Sequence, residues 1–292
     1  MKLLLRQWQV AFRKKPLGSI FSDVKTEFTV IPNTLRYTAA DPFLFKYNGI
    51  TYLFAEIYDK KDGLGKLGYS VFDGERFSKW KIVISENYHL SYPNIFEYNG
   101  NIYIIPEANE SDTLYAYKAT DFPDKWEKIS PPVMSGRKLV DTTFLDFNDK
   151  HLMFTYDIKN YDNKELFIYE IKENGQVAKY IKGAVSTDDS VARPGGNFFK
   201  YNGDVIRVSQ DCTGDYGVAV VFSKIKDCSE NGYSEEKVLH ISPNDVKIGK
   251  KFISGLHTYN GNEELEVIDF HVVDFDPMVQ VRRITEKLGL RK

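Results

Sequence analysis

Cysteine, net charge and long apolar runs are all scarce in this chain. Its 292 residues hold two cysteines, Cys212 and Cys228, which excludes a disulfide framework and a thiolate zinc site. No apolar stretch reaches the ~18 residues a membrane-spanning helix needs. The opening MKLLLRQWQVAFRKK is interrupted at Arg6, short of signal-peptide length, so the expectation is a cytoplasmic protein with reduced thiols. The 39 basic and 41 acidic residues leave a formal charge of −2. A nucleic-acid partner is not expected, because its footprint is a basic excess. Aromatic residues, in contrast, are abundant. Nineteen Tyr, 20 Phe and three Trp make 14% of the chain, a composition that suits β structure and surfaces that stack on sugars.

One phrase recurs along the chain. Residues 45–54 read FKYNGITYLF, 96–105 FEYNGNIYII and 199–208 FKYNGDVIRV. DFNDKHLMF at 146–154 is a degraded copy and TYNGNEELEV at 258–267 a last one. The turn positions Gly49, Gly100, Asp149, Gly203 and Gly261 are 51, 49, 54 and 58 residues apart. Asn-Gly between alternating apolar residues signals a type I′ hairpin, because both turn residues need positive φ. Between the hairpins there is room for about two further strands, and four strands per roughly fifty residues is the period of a propeller blade.

The expected fold is therefore all-β, a single five-bladed β-propeller over 1–292. Its blades fall near 37–85, 88–130, 137–185, 190–240 and 250–275, with a strand at 7–12 completing the last. Asp276-Pro277 opens a short C-terminal helix expected over 277–290, with Met278, Val281, Ile284 and Leu288 on one face. Such a basic amphipathic helix can pack on the propeller or rest on an anionic membrane surface.

A propeller aims the start of each innermost strand at a central channel. Counting eight residues back from each turn gives Asp41, Tyr92, Asp141, Gly195 and Ile253. The surrounding sequences, ADPF, SYPN, DTTF, RPGG and ISGLHT, concentrate polar residues where packing alone would place apolar ones. Asp41 and Asp141 would face one channel, and neighbouring carboxyls split their pKa values as acid and base roles require. Glu107 and Glu56 end equivalent hairpins and return toward the same rim. Arg193, beside two glycines, suits a carboxylate, a phosphate or sugar hydroxyls. Gln210, Asp211 and Tyr216 offer polar readers and a stacking ring. His89 and His257 lie at polar blade starts. Each has a structural alternative: a capping Asp, a salt-bridged Arg, a hydrogen-bonded His.

In order, the motifs ADPFLF-x-YNG-x-x-YLFAE (40–56), YHLSYPNIFEYNG-x-x-YIIPE (88–107), D-x-T-F from 141, ARPGG (192–196), QD-x-x-x-x-YG (210–217) and GLHT (255–258) resemble a known family. It is the propeller family named after the N-terminal domain of plant glucosamine inositolphosphorylceramide transferase, which also occurs as a stand-alone bacterial protein. The resemblance covers about residues 7–275. It extends to the five-bladed furanosidase-like superfamily that includes family 43 glycoside hydrolases. The resemblance implies a glycan substrate and an enzyme of glycosyl transfer or glycoside hydrolysis in surface polysaccharide or glycolipid metabolism. Asp41, Asp141 and Glu107 would be catalytic, and Tyr92, His89, Arg193, Gln210, Asp211, Tyr216 and His257 would bind substrate. It also implies a cation near His257, and without further His or Cys ligands that ion would be hard and calcium-like. Two departures stand out: Asp141-Thr142 replaces the family's Asp-Pro, and blade four lacks the family-43 acid glutamate. A non-catalytic sugar-binding module serving a separate transferase is the alternative.

Overall fold

The computed structural model describes residues 4–160, 163–172, 176–249 and 252–275. The expected helix at 277–290, and any membrane contact through it, lies outside those residues. No helix among the described residues is long and apolar enough to cross a membrane.

Five four-stranded antiparallel sheets carry the fold. The N-terminal strands β1 (Leu4–Arg13) and β2 (Thr29–Ile31) flank a segment with one 3₁₀ turn at Ser19–Phe21. Blade one is β3 (Tyr37–Tyr47), β4 (Ile50–Asp59), β5 (Leu64–Val71) and β6 (Lys81–Ile84). Blade two is β7 (Ser91–Tyr98), β8 (Asn101–Glu107), β10 (Tyr117–Asp121) and β11 (Lys125–Lys128), while β9 (Thr113–Leu114) pairs β12 (Met134–Ser135) in a small ribbon. Blade three is β13 (Leu139–Phe147), β14 (Lys150–Asn160), β15 (Asn163–Ile171) and β16 (Val177–Lys179). Blade four is β17 (Phe199–Tyr201), β18 (Asp204–Asp211), β19 (Ala219–Ser229) and β20 (Gly232–Ile241). Blade five starts with β21 (Ile253–Gly261) and β22 (Glu266–Phe275) and is completed by β1 and β2, in the order β21-β22-β1-β2.

Four hairpins turn on left-handed pairs: Asn48-Gly49, Asn99-Gly100, Asn148-Asp149 and Asn202-Gly203, all with positive φ. Both conformations are ones that Gly, Asn and Asp tolerate. The aromatic and aliphatic residues alternating beside these turns fill the spaces between blades. Phe43, Phe54, Tyr92 and Ile104 join blades one and two. Ile105, Leu139 and Met153 join two and three, and Val140, Phe154 and Ala192 join three and four. Val208, Phe222, Tyr259 and Phe270 join four and five, while Val10, Phe12, Leu53 and Val267 close five onto one. Each sheet buries both faces in this way, so the polar residues of the innermost strands are left to line the axis.

Candidate functional site

A repeated irregularity builds the axis. The ladders leaving β3, β7 and β13 skip from Ala40 to Phe43, Ser91 to Asn94 and Val140 to Thr143. The first skipped residue is left-handed each time: Asp41 (φ 51°), Tyr92 (47°) and Asp141 (48°). Such bulges re-aim a side chain, and the conformation is costly for a residue like tyrosine. All three side chains are buried. In β21 the skip runs from Leu256 to Tyr259, so His257 takes the corresponding place. The count of eight that lands on Ile253 misses by four residues, because Gly261 pairs Glu266 across a longer loop and is not itself a turn residue. In blade four the place belongs to Gly195 and Gly196. A Cβ on Gly196 would lie 2.0 Å from the Tyr259 carbonyl oxygen and one on Gly195 2.9 Å from that of His257. Glycine thus lets the two backbones meet, and the Tyr259 N–H donates to the Gly195 carbonyl at 2.9 Å.

Asp41, His257 and Asp269 form one buried group. The Asp41 N–H donates to Asp269 Oδ2 at 2.9 Å, and the Tyr92 N–H donates to Asp41 Oδ2 at 3.1 Å. Asp269 Oδ1 accepts the N–H groups of His257 and Thr258 at 3.3 and 2.9 Å. The imidazole lies between the acids, with Nδ1 2.7 Å from Asp269 Oδ1 and Nε2 3.2 Å from Asp41 Oδ1. Trp8 stacks on it at 3.9 Å between ring centres. Burial disfavours the imidazolium, but the Asp269 and Asp41 carboxylates outweigh it and hold the pKa well above the usual histidine value.

The ligand atoms of these three residues all lie within 4.8 Å of one another, close enough to share an ion. A calcium-like ion takes six to eight oxygens. Here both ring nitrogens already face carboxylates, and both Asp269 oxygens and one Asp41 oxygen accept backbone N–H groups. The donor set fits an imidazolium between two acids and does not fit a hard divalent cation.

Asp141 anchors the second group. Arg193 Nε and Gln210 Nε2 both donate to Asp141 Oδ2, the latter at 2.8 Å. Gln210 also donates to the Pro194 carbonyl at 2.8 Å. Arg193 Nη2 is 3.5 Å from Glu107 Oε2, and the guanidinium carbon sits 4.8 Å from the centre of the Tyr216 ring. Burial pushes the Glu107 carboxyl well above the usual carboxylate range, the Asp141 carboxylate adds to this, and Arg193 only partly opposes it. The site thus favours the neutral form of Glu107 more than water does. Tyr216, 44% exposed, forms the outer wall and meets His257 edge-on at 5.2 Å, which connects the two groups. Arg193 and Tyr216 also line an adjoining cavity of about 380 Å³ with Tyr156, Lys164 and Cys212.

The fold thus gathers Asp41, Tyr92, Glu107, Asp141, Arg193, Gln210, Tyr216 and His257. Asp211 points the other way, as strand alternation from Gln210 requires. It meets His240 Nε2 at 3.1 Å and accepts the Thr213 N–H at 2.8 Å. Burial raises the Asp211 carboxyl pKa, and those bonds more than reverse it. His89 reaches the channel only through Glu56, whose Oε1 is 3.2 Å from His89 Nε2. Asp269 and Trp8 carried no motif. The one signal for Asp269 is an acid with apolar neighbours on both sides within EVIDFHVV.

Fold and site together define a five-bladed propeller, closed by its own N-terminal strand, with paired acids, an arginine and an imidazole buried at its axis. The fold is shared with a thermostable family-43 glycoside hydrolase (TM-score 0.60, 15% identity, covering 83% of this chain and 91% of that one). It is shared also with the catalytic domain of a Coprinopsis cinerea GH62 α-L-arabinofuranosidase (TM-score 0.56, 10% identity, covering 82% and 98%). The chain belongs to the family described as glucosamine inositolphosphorylceramide transferase 1, N-terminal, whose profile matches residues 29–271. The transferase 1 proteins of Arabidopsis thaliana and Oryza sativa subsp. japonica are each 30% identical to it, over 256 and 229 residues (84% and 76% of this chain). The chain spans about a third of the length of these plant relatives, 32% and 30%.

Proposed function

We propose that this propeller binds a glycan in its channel and catalyses glycosyl transfer or glycoside hydrolysis, with Asp41 as base and Glu107 as acid. The observation that carries this reading is the gathering of three carboxyl groups at one axis: Glu107, its carboxyl pKa pushed up by burial, beside the Arg193-held Asp141, and Asp41 one blade away. Carboxyl groups set to different protonation states are what acid–base work on a glycosidic bond requires. Tyr92, Gln210, Arg193 and Tyr216 would orient the sugar. The names of the plant relatives and of the hydrolases that share the fold support a sugar-linked substrate, and the former favour a glycolipid.

A second reading is a non-catalytic sugar-binding module that serves a separate transferase. It is favoured by the Gln210 amide held on Asp141 in blade four. Asp41→Asn and Glu107→Gln separate the two. Turnover of p-nitrophenyl arabinofuranoside, xyloside and glucosaminide should fall about 10²–10⁴-fold in each variant. Turnover that is absent in the wild type, with sugar affinity altered by the same substitutions, would establish the binding module.

A further inference from the structure

The polar groups of the channel lie covered. Asp41, Glu107, Asp141, Gln210 and His257 are each at most 8% exposed. At one end, hydrogen bonds cross the axis between blades that are not neighbours. Asn94 Nδ2 of blade two donates to Asn197 Oδ1 of blade four at 2.9 Å, and the Asn197 N–H donates to Asn260 Oδ1 at 2.8 Å. Asn260 Nδ2 in turn reaches the Pro42 carbonyl of blade one at 2.7 Å. Asn94, Asn197 and Asn260 stand two or three residues further along the chain than Tyr92, Gly195 and His257, so this network is the floor of the channel.

The other end carries Tyr216, on the loop between β18 and β19. The residue is 44% exposed, yet its hydroxyl points inward. Burial pushes the hydroxyl pKa well above its usual value, and Arg193, Asp141, Asp41 and Glu107 all act on it. The ring rests 4.8 Å from the Arg193 guanidinium carbon, 5.2 Å from the His257 ring and 6.0 Å from Trp8. Tyr216 thus stands over both groups of the site at once.

Its loop is pinned at the ends and lightly held between. The Cys212 N–H donates to the Asp189 carbonyl at 2.9 Å, and the Gly217 carbonyl accepts the Leu256 N–H at 3.0 Å. Gly217 (φ 61°) sits so close to blade five that a Cβ would lie 2.8 Å from that of His257. Between these pins, Gly214 (φ 82°) gives the backbone freedom to turn. There Arg6 Nη1 meets Asp215 Oδ2 at 2.7 Å, with the two side chains 58% and 54% exposed. An exposed pair of this kind holds weakly. Beside the ring opens the cavity of about 380 Å³, lined by Tyr156, Cys212 and the loop's own Gly214 and Asp215.

We propose that Tyr216 is the gate of the channel: when Arg6 releases Asp215 the 212–217 loop lifts, the ring turns into the adjoining cavity, and it settles over the ligand once that has entered. The gate serves the ligand site proposed above and rests on that reading, but on no particular chemistry at the axis. Gly217 is the hinge, Gly214 the flexible point, and the Arg6–Asp215 pair the latch that ties the loop to β1. Loops that lift and close in this way are a common entrance to enclosed sites.

The test follows Arg193 in the full chain with 2,3-butanedione, which modifies arginine, and locates the products by peptide mass spectrometry. Arg76, whose side chain is 86% exposed, is the internal reference, and Arg193 should react far more slowly than it does. Asp215→Asn keeps an oxygen for the Tyr216 N–H but loses the charge. Asp215→Asn and Arg6→Gln should each speed the Arg193 reaction about two- to fivefold, the scale of one exposed ion pair. Added salt should speed the parent and not these variants. Tyr216→Ala should speed it further and leave nothing for Asp215→Asn to add, a dependence that an ion pair merely stabilising the blade would not show. The Leu256 N–H should keep its hydrogen-exchange protection in Asp215→Asn, because the hinge stays in place. Circular dichroism confirms folding of each variant, and Tyr216→Ser replaces Tyr216→Ala if the latter fails. The proposal is overturned if Arg193 reacts as fast as Arg76 in the parent, or if both latch variants leave its rate unchanged. It is overturned equally if Asp215→Asn accelerates the reaction as much without the Tyr216 ring as with it. These rates involve no sugar, so they stand or fall apart from the turnover of the p-nitrophenyl glycosides on which the sugar-chemistry reading depends.

Discussion

Arg193 is a half-buried cation held among its partners. Its guanidinium faces Asp141, Glu107 and the Tyr216 ring, so an apolar replacement strands a buried carboxylate. Breaking such a pair from one side typically costs about 3–5 kcal/mol. Arg193→Met should lose stability on that scale in urea denaturation, and adding Asp141→Asn should recover part of it. The channel groups also fix the sign of the pH dependence. Glu107 and His257 both bind protons more tightly folded than unfolded. Each therefore adds stability that is complete below its unfolded pKa, about 4.3 and 6.5 respectively, and lost as pH rises through the higher folded value. Asp59, lowered in the fold because Arg36 and Lys66 bonds exceed its burial penalty, acts in the opposite sense, but only in strong acid. The denaturation midpoint should thus fall as pH climbs past the ordinary carboxylate and then the ordinary imidazole value. Glu107→Gln should flatten the earlier part of this decline and His257→Asn the later. These partners differed in how visible they were before the structure. Asp41, Asp141 and Arg193 stood at blade starts where polarity was out of place. Asp269 sat inside an apolar strand like any other, and nothing local announces that its oxygens serve backbone from β3 and β21.

The strands show why the turns were legible and the registers less so. Asn-Gly at positions 48, 99 and 202 encodes a left-handed pair through the chemistry of two residues, and short-range signals of that kind survive folding. The fifth copy uses the same letters differently. Its Asn260 donates through Nδ2 to the Pro42 carbonyl at 2.7 Å, and the loop forms downstream, so Asn260-Gly261 remains in β21. The inner bulges left still less trace, because tyrosine at φ 47° has no sequence signature and is imposed by packing between blades. The two roles of glycine can be separated by measurement. Around Gly100 (φ 70°) an added Cβ would meet nothing within 4 Å, so Gly100→Ala should cost only the left-handed backbone penalty, about 1 kcal/mol. Gly196→Ala would push a methyl into the Tyr259 carbonyl and should cost about 3 kcal/mol or more. Thermal midpoints of the two variants, measured side by side, check the order.

A ring of blades is held by its last closure, and here β1 makes it. The strand pairs β22 from Leu4–Phe275 through Arg13–Glu266. It buries Val10 and Phe12 against blade one, sets Trp8 on the His257 imidazole and supplies Arg13, whose Nε donates to the buried Glu266 at 2.6 Å. Removing it would forfeit the burial of these two side chains, worth about 1.5–3 kcal/mol each, and strand Glu266 at about 3–5 kcal/mol. That total rivals the 5–15 kcal/mol, roughly, that holds a domain of ordinary stability together. Deletion of residues 1–13 should therefore abolish the cooperative transition of the whole chain and not merely fray blade five. The contrasting variant is a circular permutant opened at Asn99-Gly100, an exposed hairpin turn, with the native ends joined by a flexible linker long enough to leave β1 free to pair. It keeps every pairing of β1 and should unfold in one transition with near-UV ellipticity like the parent. If the deletion folds as well as the permutant, closure through β1 is not what holds the acids of blades one and five at one axis, and the His257 bridge between them must be sustained by β21 and β22 against blades one and four.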